Sequence, residues 1–182
     1  MNILVCISSV PDTTSKINFK ENNSKFDSDG IQYVINPYDE FGLTKAMKIK
    51  ESTGGKITVI TVGDASVEPV IRKTLAIGAD EAIRVNMVPE DSYSVAFEIS
   101  EYIKENSFNI IITGRESTDY NGGAVPGMIA ELTNLPLVNA CIGLEFEGEN
   151  VKLVREIDGG KEMISSSMPI IIGGQKGLVY ES

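Results

Sequence analysis

Histidine is absent from the 182 residues of this chain. Without an imidazole there is no Ser-His-Asp or Cys-His constellation and no histidine-ligated metal, so hydrolase chemistry loses most of its usual machinery. Cysteine is limited to two residues, Cys6 in an apolar run and Cys141 far along the chain. That supply supports neither a disulfide framework nor a metal-ligand cluster, and both residues read as small buried apolar side chains. Positive charge is also scarce: 16 Lys and Arg stand against 26 Asp and Glu, a net charge of −10. Neutralising phosphates along a nucleic acid needs clustered basic residues, so a nucleic-acid partner is excluded, while solubility and basic protein partners are favoured. No apolar run is long enough to span a membrane, and the start Met1-Asn2-Ile3-Leu4-Val5-Cys6-Ile7 lacks the basic segment of a signal peptide. The expectation is a cytoplasmic protein with no membrane insertion.

What is present suits a single domain, because 42% hydrophobic residues in 182 can build a substantial core. Residues 3–7 form a continuous apolar run, as expected of a central strand covered on both faces of a parallel sheet. Residues 8–30 break the pattern and read as a loop followed by a short hairpin excursion. A short extended run at 32–35 ends in Asn36-Pro37, an N-cap residue followed by proline at the first helical position, so a helix is expected from Tyr38 to about Ser52. Gly54-Gly55 stops it, and residues 56–62 are a second strand rich in β-branched side chains. Val67, Val70, Ile71, Thr74 and Leu75 then recur at helical spacing up to Gly78. A third strand at 81–85, a helix capped by Asp91 and a strand at 108–113 continue the alternation. Such alternation demands right-handed crossovers, a mostly parallel sheet and helices on both faces: an α/β fold.

After Leu135-Pro136 the character changes. Runs at 142–146, 151–157 and 162–166 are separated by Gly148-Glu149-Asn150 and Asp158-Gly159-Gly160, which are hairpin turns. The expectation is an antiparallel extension at the sheet's edge that ends in the Ile170-Ile171-Ile172 run.

Ligands of open parallel sheets bind beyond the strands' carboxyl ends. The loops at 8–14, at Gly63-Asp64 and at 114–123 could therefore line one crevice, with the helix start at Asn36-Pro37-Tyr38-Asp39 beside them. The strand, glycine-bearing loop and helix running from Asn109 to Leu132 form the strongest of these pieces. A helix amino terminus leaves unpaired N–H groups and a partial positive charge that suit a phosphate, and Gly122-Gly123 would allow close backbone approach. The loop is neither a P-loop nor a Gly-x-Gly-x-x-Gly turn. It also lacks the Ser-Gly-Gly-x-Asp-Ser loop of an ATP pyrophosphatase and fits a universal stress protein only loosely.

Leu4-Val5-Cys6-Ile7 with Val10-Pro11-Asp12-Thr13-Thr14, Ile35-Asn36-Pro37-Tyr38-Asp39-Glu40 and Leu75-Ala76-Ile77-Gly78-Ala79-Asp80 together resemble the beta subunit of electron transfer flavoproteins. Gly114-Arg115-Glu116-Ser117-Thr118-Asp119, Arg155-Glu156-Ile157-Asp158-Gly159-Gly160 and Met168-Pro169 extend the resemblance in the same order over essentially the whole chain. It implies a three-layer, open, mostly parallel sheet of the adenine-nucleotide alpha-hydrolase-like, Rossmann-related kind with a C-terminal antiparallel extension. It also implies an electron carrier rather than an enzyme. Such a subunit pairs with an alpha subunit, and the heterodimer carries electrons on FAD between flavin dehydrogenases and an acceptor.

The resemblance further implies a buried adenine nucleotide, usually AMP, in this subunit. Carried over residue by residue, the site comprises Cys6, Asn36, Pro37, Tyr38, Asp39, Val62, Gly114, Arg115, Glu116, Ser117, Thr118, Asp119, Tyr120, Asn121, Gly122, Gly123, Ala124 and Val125. Adenine would insert near Cys6 and Val62, and phosphate would meet Asn121 to Val125. Val10, Pro11, Asp12 and Thr13 would face the partner's flavin. Some relatives carry Gln-Thr-Gly where this chain has Ala124-Val125-Pro126, so a threonine hydroxyl is missing, a backbone donor is lost at Pro126, and backbone N–H groups must do more. In electron-bifurcating members the same pocket holds a second FAD; a stand-alone adenine-nucleotide-binding regulatory module is the other alternative. The family normally continues into a C-terminal arm that embraces the alpha subunit, so the end at Ser182 reads as a truncation, with a subunit that lacks the arm as the alternative.

Overall fold

The computed structural model describes residues 1–11, 18–20, 25–27, 33–114 and 124–174. The first strand, β1 (Asn2–Cys6), carries Ile3, Leu4 and Val5 with essentially no exposed surface, as a strand covered on both faces must. Three short strands follow, β2 (Ser9–Pro11), β3 (Asn18–Lys20) and β4 (Lys25–Asp27), and β3 and β4 pair as the expected antiparallel hairpin. β5 (Tyr33–Ile35) pairs antiparallel with β2 and leads into α1 (Pro37–Thr53), whose first turn begins where the Asn36 carbonyl accepts from the Asp39 and Glu40 amides. α1 ends at Gly54, which takes φ 72° while its N–H bonds the Lys50 carbonyl, a conformation costly for any residue with a Cβ.

β6 (Lys56–Gly63), a 3₁₀ turn (Ala65–Val67), α2 (Glu68–Ile77) and β7 (Glu81–Asn86) make the next crossover. α3 (Ser92–Glu105) opens with a reciprocal capping box: the Ser94 N–H donates to Asp91 Oδ1 at 2.7 Å and the Asp91 N–H to Ser94 Oγ at 3.4 Å. β8 (Ile110–Gly114) and α4 (Val125–Thr133) complete the alternating part, and β9 (Leu137–Glu147), β10 (Asn150–Ile157), β11 (Gly160–Ser167) and β12 (Ile170–Gly174) follow.

The eight-stranded sheet has the order β11-β10-β9-β12-β8-β1-β6-β7. β12, β8, β1, β6 and β7 are mutually parallel, and β10 pairs antiparallel with both β9 and β11. α1 and α2 cover one face, where Leu43, Ala46, Ile49 and Val70 meet Ile3, Val5, Ile57, Ile110 and Ile112. α3 and α4 cover the other, where Ala96, Ile99, Ile103 and Ile129 meet Leu4, Cys6, Ile60, Ile111 and Ile171. The fold is thus the three-layer α/β sandwich with a mostly parallel sheet that the strand and helix alternation demands.

One expectation needs correction. The Ile170-Ile171-Ile172 run does not close the antiparallel edge; β12 lies inside the sheet, parallel to β8 on one side and to the first half of β9 on the other. All three isoleucines are fully buried, and only a doubly covered interior strand can bury three consecutive large side chains. β9 therefore serves two regimes, parallel to β12 at its start and antiparallel to β10 beyond it, with an irregularity near Ala140, whose φ is 57°.

The chain runs β1, β6, β7 outward on one side and then returns to place β8 on the other side of β1. That reversal is a topological switch point, and it opens a crevice at the carboxyl ends of β1 and its neighbours.

Candidate functional site

A cavity of about 310 Å³ occupies this crevice. Its floor is the carboxyl end of β1 and the residues just past it, Cys6, Ile7, Ser8 and Ser9; Thr61, Val62 and Gly63 come from β6, and Thr113 and Gly114 from β8. Asn36 and Asp39 enter from the start of α1, Asp64, Ser66 and Val67 from the turn after β6, and Val125 and Pro126 from the start of α4. The last wall is the segment from Val88 and Pro89 into α3, with Ser92, Val95 and Ile99. The lining mixes apolar surface with convergent hydroxyl, amide and carboxylate groups, the usual make-up of a small-molecule pocket.

Asp39 is the most perturbed group of this lining that titrates near neutrality. Burial pushes its carboxyl up to about 7, against the opposing pull of hydrogen bonds from the Ser8 N–H, the Ser8 hydroxyl and the Gly114 N–H. Both Ser8 donors reach Oδ2 at 2.8 Å, and the Asn36 amide reaches Ser8 Oγ at 3.4 Å. The start of α1 is thereby tied to the end of β1, with the Gly114 N–H at the end of β8 also favouring the ionised carboxylate. Cys6 lies beside this carboxylate, and burial first, then the Asp39 charge, drives its thiol far above the ordinary range. Cys6 is therefore a neutral, unreactive lining group. Among the described residues no cluster of three or more His, Cys, Asp or Glu could hold a metal.

Four helices begin near the cavity, and their amino termini differ. α1 carries Asp39 and Glu40 in its first turn, α2 carries Glu68, and α3 is closed by its own capping box. α4 has no acidic residue in its first turn and no side-chain hydrogen bond at Ala124, its cap. Among the described residues, α4 alone of these four offers an anion in the cavity a helix end with neither an acidic first turn nor a side-chain cap.

The sequence model of the family described as Electron transfer flavoprotein domain matches residues 24–179. The chain is 33% identical over 182 residues to the Electron transfer flavoprotein subunit beta of Bacillus subtilis (strain 168), covering 98% of this chain and 70% of that one. The chain belongs to the electron transfer flavoprotein beta-subunit family. Similarity extends to the Electron transfer flavoprotein subunit beta of Dictyostelium discoideum, 32% identical over 174 residues with 94% of this chain and 70% of the relative covered. It extends also to Protein FixA of Sinorhizobium fredii (strain NBRC 101917 / NGR234), at 31% over 183 residues with 94% and 64% covered. Beta subunits of this family are electron-transfer proteins rather than enzymes.

Of the beta-subunit site expected from the sequence, Cys6, Asn36, Asp39, Val62, Gly114 and Val125 line this cavity. Pro37 is exposed at the first position of α1, Tyr38 lies in the same turn, and Ala124 is half-buried next to Val125. Val10 is buried in β2, and Pro11 ends that strand opposite Tyr33. Asp12 and Thr13, and Arg115, Glu116, Ser117, Thr118, Asp119, Tyr120, Asn121, Gly122 and Gly123, lie outside the described residues.

The α3 wall, Val88, Pro89, Ser92, Val95 and Ile99, is absent from the expected site. Its residues carry no motif. The available signal was topological: β7 is a parallel strand of the same sheet, so the segment past its carboxyl end belongs to the same crevice edge as the loops after β1, β6 and β8.

Proposed function

We propose that this chain is the beta subunit of a heterodimeric electron transfer flavoprotein, and that its cavity holds an adenine nucleotide as a buried structural ligand. The reading is carried by one observation: in a member of this family, the cavity at the switch point ends at α4, the one bordering helix start that, among the described residues, has neither a side-chain cap nor an acidic first turn. Cys6, Val62 and Ile99 supply an apolar slot for a base, while Ser8, Asn36, Thr61 and Thr113 supply hydroxyl and amide partners. The backbone N–H groups at the start of α4 face the phosphate; proline at 126 withholds one of them, so the phosphate is held by the others and by the helix dipole.

The cavity volume sits at the lower end of the range for small-molecule pockets, roughly 300–1,000 Å³. A mononucleotide fits a cavity of this size, and the proposed ligand is AMP with simple electron transfer, a second FAD with bifurcation being the alternative. FAD held mainly by an alpha subunit supplies the redox chemistry when bound; this chain shields one side of it and fixes the geometry of the assembly. Flavin dehydrogenases donate the electrons, and the heterodimer works in the cytoplasm.

Co-expression with a flavin-binding alpha subunit of the same family tests the reading. A yellow one-to-one heterodimer on size-exclusion chromatography is expected. Two chains that elute separately, with the flavin colour absent or confined to the alpha subunit, would contradict it.

A further inference from the structure

The sheet order β8-β1-β6-β7 sets two ends to the cavity. The β8 side carries the open start of α4 and takes the phosphate, so the β6 side, residues 61–67, faces the nucleoside part. This placement rests on the reading of the cavity as an adenine-nucleotide site. The β6 wall is unusual in how it is held. The β6–β7 ladder holds Thr61 and Val62 and ends at the Gly63 and Asn86 pair; from there the chain leaves the sheet through Asp64 into the 3₁₀ turn, so Gly63, Asp64, Ser66 and Val67 line the cavity at and just beyond the last ladder contact. Inside the turn, Asp64 Oδ1 accepts from the Ser66 N–H at 2.9 Å, which shapes the turn but does not anchor it to the sheet.

Beyond the ladder contact at Gly63 and the buried Val67 side chain, a further anchor is Arg84, on β7. Its Nη1 donates to the Gly63 carbonyl at 3.2 Å and to Asn86 Oδ1 at 2.8 Å, and its Nη2 lies 3.7 Å from Glu68 Oε1 at the start of α2. One guanidinium thus joins the end of β6, the end of β7 and the first turn of α2. Its positive charge also helps hold the Asp64 carboxyl below its usual range, after the two Ser66 hydrogen bonds that dominate that shift. Arg84 is not among the cavity-lining residues, so whatever it does for a ligand passes through the wall it braces.

We infer that Arg84 is a positioning residue of the nucleotide site, fixing the wall at residues 63–66 against which the nucleoside part packs. A planar fork is needed for this, because the two acceptors and the Glu68 carboxylate are spread around one group; a lysine ammonium can keep one contact but not the set.

Calorimetric titration of the nucleotide-stripped protein with AMP and with adenosine tests it. Wild type binds both. Arg84→Gln weakens both by a similar factor, roughly tenfold or more given the usual worth of a hydrogen bond from a charged donor. Arg84→Lys lies between the two, and the melting temperature of the unliganded Arg84→Gln protein stays within a few degrees of wild type. Unchanged affinity in Arg84→Gln overturns the inference. So does a loss seen with AMP but not with adenosine, since that is the signature of a counter-charge to phosphate, and so does a loss that merely follows unliganded stability without recovery in Arg84→Lys. A wild-type protein that takes up neither compound instead overturns the reading of the cavity itself, a result separable from the failure of Arg84 alone.

Discussion

Asp39 shows how one buried residue couples the site to stability. Its carboxyl is raised from 3.8 to about 7, chiefly by burial. Below about pH 4 both folded and unfolded chains hold the proton; as pH rises towards 7 the unfolded chain releases it while the folded chain retains it. Stability therefore falls across that window, by at most about 4 kcal/mol, and the loss is complete above the folded-state value. Asp64 and Asp80, held below their ordinary values by hydrogen bonds, act in the opposite sense but only as pH drops under about 4. Urea midpoints should thus be higher at pH 5 than at pH 8, and Asp39→Asn should flatten the difference; an equal slope in the variant would remove Asp39 as its source. Gly42 makes a second residue-scale case. A Cβ there would stand 2.8 Å from Ile112 Cγ2, so α1 rides on β8 at a distance that admits no side chain. Gly42→Ala is expected to cost about 1–3 kcal/mol by overpacking, read as a lowered urea midpoint with an unchanged slope.

Among elements, the starts of α3 and α4 contrast a helix end closed by a capping box with one that has no side-chain cap among the described residues. Asp91→Ala removes a complete capping box and should cost about 1 kcal/mol in denaturant unfolding. Ala124→Asp instead places a carboxylate at the open end of α4; AMP affinity should fall roughly fivefold or more in titration, because the charge meets the phosphate in the helix dipole's own field. These two helix starts were legible to different degrees in the sequence. Asp91 announces its cap, since an acidic residue before an apolar period is a local signal. The Asn36-Pro37 start of α1 and the Gly54 stop were legible for the same reason, and so were the hairpin turns at Gly148 and Gly159, both with positive φ. The α3 wall of the cavity was not, because Val88 looks like an exposed loop residue and Ser92 and Val95 like any half-buried helix start until the sheet order places them at the crevice. The position of β12 was hidden for a related reason. Three consecutive isoleucines demand burial on both faces, but which strands flank them depends on pairing with residues some sixty positions earlier, as in the Ile171 and Ile111 register.

For the whole molecule, β12 is what unites the two halves. It bonds β8 of the alternating part on one side and β9 of the antiparallel part on the other, with Ile171 packed into the core under α3 and α4. Ile171→Ala should therefore cost about 2–5 kcal/mol and lower the midpoint of a single cooperative transition, measured by circular dichroism. The same continuity places the cavity between helices of both layers, so a ligand bound there stabilises the entire domain by mass action. The central claim, a mononucleotide buried in this subunit beside a partner-held flavin, is tested most directly by releasing and counting the nucleotides of the purified heterodimer. One FAD and one AMP per dimer is the predicted result. Two FAD and no AMP, or FAD with no adenine mononucleotide at all, would contradict it.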